Sequence, residues 1–312
     1  MNTDPKLQSK LYGFDFCITS LINLYKKNKL SNKILLSGPK GIGKSTLAYH
    51  FINYVFSLGE DYSYNLNDYS INSKNRSFKL IENQSHPNFY RIDVRSEKKN
   101  IEISQIREMI NYANKSSFNS KARFVLIDNT ENLNMNSLNA LLKIVEEPND
   151  NLFFILIHDN NKKLKNTLKS RCITFKLNIT FDRTIEITSK ILNQNINDIL
   201  SDELINYYST PGELINLVNF AENNNIDLKN ATLKNILLLL INENYYNKNN
   251  FIKHYIFTMM QVYFLKLLHH SNSKHIVNPL YTKFINMIND CTKFNLNYEN
   301  LFIEFKKKIL NE

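Results

Sequence analysis

Eight consecutive residues, Gly38-Pro39-Lys40-Gly41-Ile42-Gly43-Lys44-Ser45, satisfy the spacing G-x-x-x-x-G-K-S/T. Glycines at these positions let the backbone curl until successive N–H groups face one anion, and a helix that starts at the loop adds the positive end of its dipole. Lys44 would then reach the terminal phosphates of a nucleotide, and Ser45 would hold Mg²⁺. Gly38, Gly41, Ile42, Gly43 and Thr46 complete the candidate nucleotide-binding set. A phosphate loop also needs a carboxylate at the end of a neighbouring strand, and Phe124-Val125-Leu126-Ile127-Asp128 supplies one. Ser45 and Asp128 are therefore the expected magnesium ligands, and ATP or ADP with Mg²⁺ the expected cofactor.

The elements that must position these groups are legible around them. An apolar run at 33–37 reads as a strand entering the loop, and apolar residues at helical spacing (Leu47, Ala48, Phe51, Ile52, Val55) read as the helix leaving it. Further strands are expected at 89–94, 124–127 and 153–157. Helices are expected between them: one with Ile103, Ile106, Ile110 and Ala113 on one face, another over 135–146 with Met135, Leu138, Leu141, Leu142 and Val145 on one stripe, stopped by Pro148. Strands alternating with helices imply an α/β domain with a mostly parallel sheet covered on both faces. Residues 57–84 keep no sustained period and read as a partly irregular insertion. Beyond about 178 only helical patterns remain, which divides the chain into 1–178, a small helical unit at 179–230 and a second helical unit at 231–312.

Composition narrows the class. The chain has 312 residues, 43% of them hydrophobic, enough for two or three modest cores. Its longest apolar stretch, 251–268, is broken by Lys253, His254, Gln261 and Lys266 and reads as a buried helix, not a membrane span. No signal peptide is visible at the start, so a cytoplasmic protein without a membrane partner is expected. Cys17, Cys172 and Cys291 are scattered and lack C-x-x-C pairing, which gives no basis for a zinc site or a disulfide framework. The net charge of +10 points to a polyanionic partner, although it comes mostly from Lys in a chain rich in Asn, Ile and Tyr, a bias that base composition alone can produce.

Four segments carry a family resemblance. Asn139-Ala140-Leu141-Leu142-Lys143-Ile144-Val145-Glu146-Glu147-Pro148 resembles the N-A-L-L-K-x-x-E-E-P stretch of bacterial clamp-loader subunits of the AAA+ class, and Thr167-Leu168-Lys169-Ser170-Arg171-Cys172 resembles their T-L/I-K/R-S-R-C motif. His86-Pro87-Asn88-Phe89 and Gln105-Ile106-Arg107-Glu108 are similar to segments of the delta-prime branch. The resemblance covers residues 11–178; the remainder matches only in helical character and length. It implies a P-loop AAA+ domain, a helical lid at 179–230 and an all-α collar at 231–312. It also implies an assembly with gamma/tau and delta subunits that loads a sliding clamp onto primer-template DNA during replication, as part of the DNA polymerase III machinery. Arg171 is then the candidate trans arginine finger, offered to the ATP of a neighbouring subunit.

Departures from the family pattern choose among functions. Asn129 stands where a hydrolytic AAA+ enzyme carries the Glu that polarises water, and Ser209-Thr210-Pro211-Gly212-Glu213-Leu214 has no Arg where the motor subunits have one at the start of a lid helix. Glu213 there would repel phosphate, and the four cysteines that motor subunits place between their nucleotide-binding motifs are missing. A stator-like binding subunit with weak or absent turnover is expected in preference to an ATP-hydrolysing gamma/tau-type motor or another DNA-directed AAA+ ATPase. A small P-loop kinase would need an acceptor pocket in place of the helical C-terminal third.

Overall fold

The computed structural model describes residues 3–95, 98–115, 121–147, 149, 151–270, 274–294 and 296–310. They fall into two compact units, Met1–Ile187 with Thr210–Glu213, and Thr188–Ser209 with Leu214–Glu312.

The first unit is built on five parallel strands: β1 (Lys33–Gly38), β2 (Phe89–Ile92), β3 (Arg123–Ile127), β4 (Leu152–Asp159) and β5 (Ile173–Lys176), in the order β2-β3-β4-β1-β5. Alternate residues of the central strands feed two cores. Ile34, Leu36, Phe124, Leu126, Ile155 and Ile157 pack with α1 (Asp15–Lys26), α2 (Lys44–Phe56) and α3 (Arg76–Glu82) on one face. Leu35, Val125, Ile127, Phe154 and Leu156 pack with α4 (Ile103–Ala113) and α5 (Met135–Glu146) on the other. Burial on both faces is why these strands read as continuous apolar runs. This is an α/β domain with a parallel sheet covered on both faces.

The structure changes several expectations. β5 was not anticipated: it has four residues, lies at the sheet edge and exposes Ile173 and Lys176. Met135 is 55% exposed rather than on the buried stripe of α5, because as first residue of the helix its side chain lies beyond the N-terminal turn. Pro148, expected to stop that helix, lies outside the described residues.

Residues 57–84 are more ordered than their missing period suggested. α2 is buried almost all round and carries two polar residues inward, His50 and Asn53, which need partners. The segment supplies them: Tyr64 donates its hydroxyl to His50 Nδ1 at 3.0 Å, while His50 Nε2 donates to the Gln8 carbonyl at 3.1 Å, and Asn53 donates to Asn75 Oδ1 at 3.1 Å. Glu60 accepts from the Ser77 amide and hydroxyl and from Asn75 Nδ2, and Phe78 and Ile81 of α3 enter the core. Specific hydrogen bonds do here what periodicity does elsewhere.

After α6 (Asn166–Lys169), α7 (Phe181–Leu192) begins in the first unit and ends in the second. The second unit continues through α8 (Ile196–Ile199), most of α9 (Pro211–Asn224), α10 (Leu233–Asn242), α11 (Tyr245–Lys248), α12 (Asn250–His270), α13 (Lys274–Phe294) and α14 (Glu299–Phe305). The stretch at 251–268 is the buried helix expected of it, and α10 and α12 bury their apolar side chains: Leu233, Leu237, Ile252, Ile256 and Phe264 are at most 1% exposed. Phe264, Phe284 and Phe305 form an aromatic cluster with centroids 5.5–5.7 Å apart. Among the described residues no helix is long and apolar enough to cross a membrane.

Burial holds two histidines of the first unit below their ordinary range. His50 falls to about 4 through burial, opposed by the Gln8 carbonyl, and His86, stacked on Phe56 at 3.9 Å, falls to about 4 through burial first. Both are depressed below the unfolded value of about 6.5, so the unfolded chain takes up protons first. Their contribution to stability is complete above that value and is lost as pH falls toward 4, at up to about 1.4 kcal/mol per pH unit for each. The urea midpoint is therefore expected to drop between pH 7.5 and pH 5; equal midpoints would mean that neither imidazole is held neutral.

Candidate nucleotide-binding site

The loop between β1 and α2 adopts the predicted curl. Gly41 and Gly43 have φ of +85° and +97°, left-handed backbone that a side chain at either position would strain. Ile42 is only 5% exposed and anchors the loop to the core beneath it. Among the described residues, none accepts from the N–H of Gly41, Ile42 or Gly43. These donors, followed by the start of the 13-residue α2, form a concave anion site. Thr46 sits half-buried in the first turn of the helix.

Lys44 is 6% exposed and folds back on the loop, its Nζ donating to the carbonyls of Gly38 at 2.8 Å and Pro39 at 2.6 Å. Burial lowers its pKa, while the charges of Asp159, Asp128 and Glu131 oppose that shift and favour the ammonium. Ser45 Oγ donates to Asp128 Oδ2 at 2.7 Å, so the two expected magnesium ligands are already in contact. Burial raises the Asp128 carboxyl, with Asp93 adding to the shift, while Ser45, the Asn129 amide and Arg91 counter it. A divalent cation beside it would restore the charged form. The donors and carboxylate fit a magnesium-bound polyphosphate.

Asn129 has φ +53°, and its Nδ2 donates to Asp93 Oδ1 at 2.7 Å. Asp93, just beyond β2, is also bonded by Arg91 at 2.7 Å and by the Val94 amide at 2.7 Å. Sequence reading missed this partner: the carboxylate absent at 129 stands opposite it, just past the end of the neighbouring strand β2. Glu131 was also missed; its side chain is 2% exposed and accepts from the Asp159 amide at 3.2 Å.

Residues 210–213 pack against the loop. The Gly212 amide donates to the Gly41 carbonyl at 2.9 Å, and a Cβ at Gly212 would come within 2.8 Å of that oxygen, so only glycine permits this approach. Glu213 caps the start of α9: its Oε2 accepts from the Thr210 amide at 3.1 Å, and its own amide donates to Thr210 Oγ1 at 3.4 Å. Burial raises the Glu213 carboxyl and the Thr210 bonds lower it. The segment expected to lack an arginine thus places a capping carboxylate beside the loop.

Arg171 is not in this site. It precedes β5, whose Ile173 pairs with Ile34 near the start of β1, whereas the loop follows the end of β1. Because the strands are parallel, guanidinium and loop lie toward opposite ends of the strands, about four residues at ~3.3 Å each. Arg171 is held by Glu146, through Nε at 2.9 Å and NH2 at 2.7 Å, and its NH1 donates to the Thr167 carbonyl at 2.9 Å. Two of the four segments of the family resemblance, 139–148 and 167–172, therefore meet, and Lys33 Nζ joins them by donating to the Glu146 carbonyl at 2.9 Å. Among the described residues no group of three or more His, Cys, Asp or Glu could hold a metal ion by itself.

A glycine-rich loop after β1, a strand-end carboxylate and a parallel sheet with β1 between β4 and β5 make the α/β arrangement of the AAA+ fold. Residues 15–180 match the family described as DNA polymerase III, delta subunit. The chain belongs to this family. It is 31% identical over 240 residues to the DNA polymerase III subunit gamma of Buchnera aphidicola subsp. Schizaphis graminum, covering 73% of this chain and 62% of that one. To subunit delta' of the same organism it is 25% identical over 299 residues, covering 91% and 83%. With subunit delta' of Pseudomonas aeruginosa it shares 28% over 139 residues, 45% of this chain and 40% of the relative. The chain thus spans less than two thirds of the gamma and Pseudomonas relatives. A solved gamma subunit-related protein of Thermotoga maritima is 16% identical with a TM-score of 0.48, covering 91% of this chain and 96% of that one.

Two outcomes follow from the geometry. Lys44→Ala should weaken nucleotide binding by about 10- to 100-fold, the ~1.5–3 kcal/mol of a charge-assisted bond; unchanged calorimetric affinity would mean the loop only keeps its shape. Asn129→Glu should give little gain in hydrolysis and should lower stability, because it sets a carboxylate against Asp93. The double variant Asn129→Glu with Asp93→Asn restores an amide–carboxylate pair and should recover stability by about 1–3 kcal/mol. Equal urea midpoints for single and double variants would rule out the pairing.

Proposed function

We propose that this chain is a delta-prime-type, stator-like subunit of a bacterial clamp loader, which holds ATP or ADP with Mg²⁺ but turns it over weakly or not at all. The observation that carries this reading is the division of the site. Everything needed to hold phosphate is present in Gly38, Gly41, Ile42, Gly43, Lys44, Ser45, Thr46 and Asp128, while Asn129 gives its amide to Asp93. An amide nitrogen donor cannot take a proton from water as a Glu would. Residues 210–213 add Glu213 instead of a cation. A gamma/tau-type motor, the alternative that the 31% identical relative raises, would require a base and a lid cation that these positions do not supply.

In this reading the chain is cytoplasmic and its partners are gamma/tau and delta subunits, with the sliding clamp and primer-template DNA met through the assembly. Residues 1–178 are the nucleotide-binding domain, 179–230 the lid and 231–312 the collar. Arg171 serves a neighbouring subunit's nucleotide in trans. Its place toward the strand ends opposite its own loop supports that role, and its pairing with Glu146 keeps a planar fork oriented without the chain's own phosphate.

Reconstitution tests the reading. The chain should co-purify with gamma/tau and delta subunits and show negligible ATP turnover alone; robust turnover by the isolated chain with DNA would favour the motor. Arg171→Ala should leave its own nucleotide binding intact and slow DNA-stimulated turnover of the complex. The loss should stay below the ~10³-fold of a single-site arginine finger because other sites persist. Arg171→Lys should restore little, since a point charge cannot reproduce the fork. A wild-type rate in the alanine complex would remove the trans role.

A further inference from the structure

At the carboxyl ends of β1, β4 and β5 lies a hollow of about 690 Å³ that shares no residue with the 39–46 loop. Its floor is fixed by His158, 8% exposed. The Nε2 of His158 donates to the Lys162 carbonyl at 3.0 Å, which leaves Nδ1 to accept from Ser37 Oγ at 3.0 Å. That clamp sets the turn that carries Lys162, Lys163 and Lys165, and Lys169 at the end of α6 and Lys176 at the end of β5 complete the lysine lining.

No carboxylate lines the hollow. Lys162 is offset by buried Glu131 at 3.7 Å, but Lys163, Lys165, Lys169 and Lys176 are exposed and, among the described residues, have no ion pair. Four uncompensated ammonium groups around one concavity focus a positive potential that mobile anions must otherwise screen.

We propose that this hollow binds the phosphodiester backbone of nucleic acid. A site for a single phosphate is built from converging backbone N–H groups, as in the loop at 38–45. Here the charges are separate points on flexible stems spread along a surface, which suits regularly spaced phosphates and releases their condensed counterions. The choice of DNA as the strand rests on the reading of the chain as a clamp-loader subunit; the basic hollow itself does not.

The test uses the full chain with saturating ATP and Mg²⁺, so that the loop is engaged, and fluorescein-labelled primer-template DNA in anisotropy titrations from 50 to about 200 mM salt. Four phosphate contacts contribute about 3.6 to the slope of log K against log salt, at ~0.9 each. A variant with Lys163, Lys165, Lys169 and Lys176 all changed to Gln should lose about 2 or more from that slope and bind at least about tenfold more weakly at 50 mM salt. A control with Lys27, Lys29, Lys74 and Lys79 changed to Gln carries the same net charge and replaces no residue of the hollow. Its slope should stay near wild type. An unchanged slope in the first variant, or an equal loss in the control, overturns the proposal. A second equivalent of ATP in calorimetry, removed by the first variant, would assign the hollow to free nucleotide instead. None of these outcomes depends on assembly with other subunits, so failure here is separable from failure of the proposed function.

Discussion

β1 is hydrogen-bonded on both sides, to β4 and to β5, and this double pairing decides what each motif can do. Parallel neighbours bring Gly38, Asp159 and Lys176 to one end of the strands and Lys33, Phe154 and Ile173 toward the other. The phosphate loop can only leave from the first end. Arg171, bound to Glu146 ahead of β5, can only stand at the second. A single antiparallel strand here would have put phosphate site and guanidinium together and made the arginine a residue of its own active site. Leu35 and Phe154, fully buried in the middle of these strands, hold the separation rigid; removing a core phenylalanine typically costs about 3–5 kcal/mol.

At the first end, the loop is shaped by what it touches when its phosphate donors face no protein acceptor. Lys44 would be a costly buried cation without partners, and the carbonyls of Gly38 and Pro39 satisfy it. Asp128 would be a costly buried anion, and Ser45 with the Asn129 amide satisfies it. The same atoms are the ones a magnesium polyphosphate would engage, so binding exchanges one set of charge-assisted bonds for another instead of filling a void. Such exchange favours a modest affinity over a very tight one.

Much of this was legible in order along the chain because each element obeys its local rule. The glycine spacing announces the loop, the 3.6 period announces α4 and α5, and unbroken apolar runs announce β1, β3 and β4. What escaped detection had no local signal. β5 is four residues of which two are exposed, too short and too wet to stand out. The order of residues 57–84 depends on Tyr64 and Asn75 meeting His50 and Asn53 of α2, pairs separated by 14 and 22 positions. Gly212 carries no local signal of its own, because its close approach to Gly41 exists only in three dimensions.

The pair Asp93 and Asn129 is the clearest case of a site residue whose meaning lies in its neighbour. Read alone, Asn129 is a lost glutamate. Next to Asp93, which also receives Arg91 and the Val94 amide, it is a donor that satisfies a fixed carboxylate. The contact tolerates one acid and one amide, because two carboxylates at 2.7 Å would repel and one would have to take up a proton. Asp128 already feels Asp93, which contributes to its raised pKa. A third acid at 129 would push Asp128 further toward the neutral form, the form that holds magnesium poorly. An amide at this position therefore spares Asp128 a further push toward the neutral form and also presents a donor where a base would stand, so in the proposed reading one side chain serves both cation binding and weak turnover.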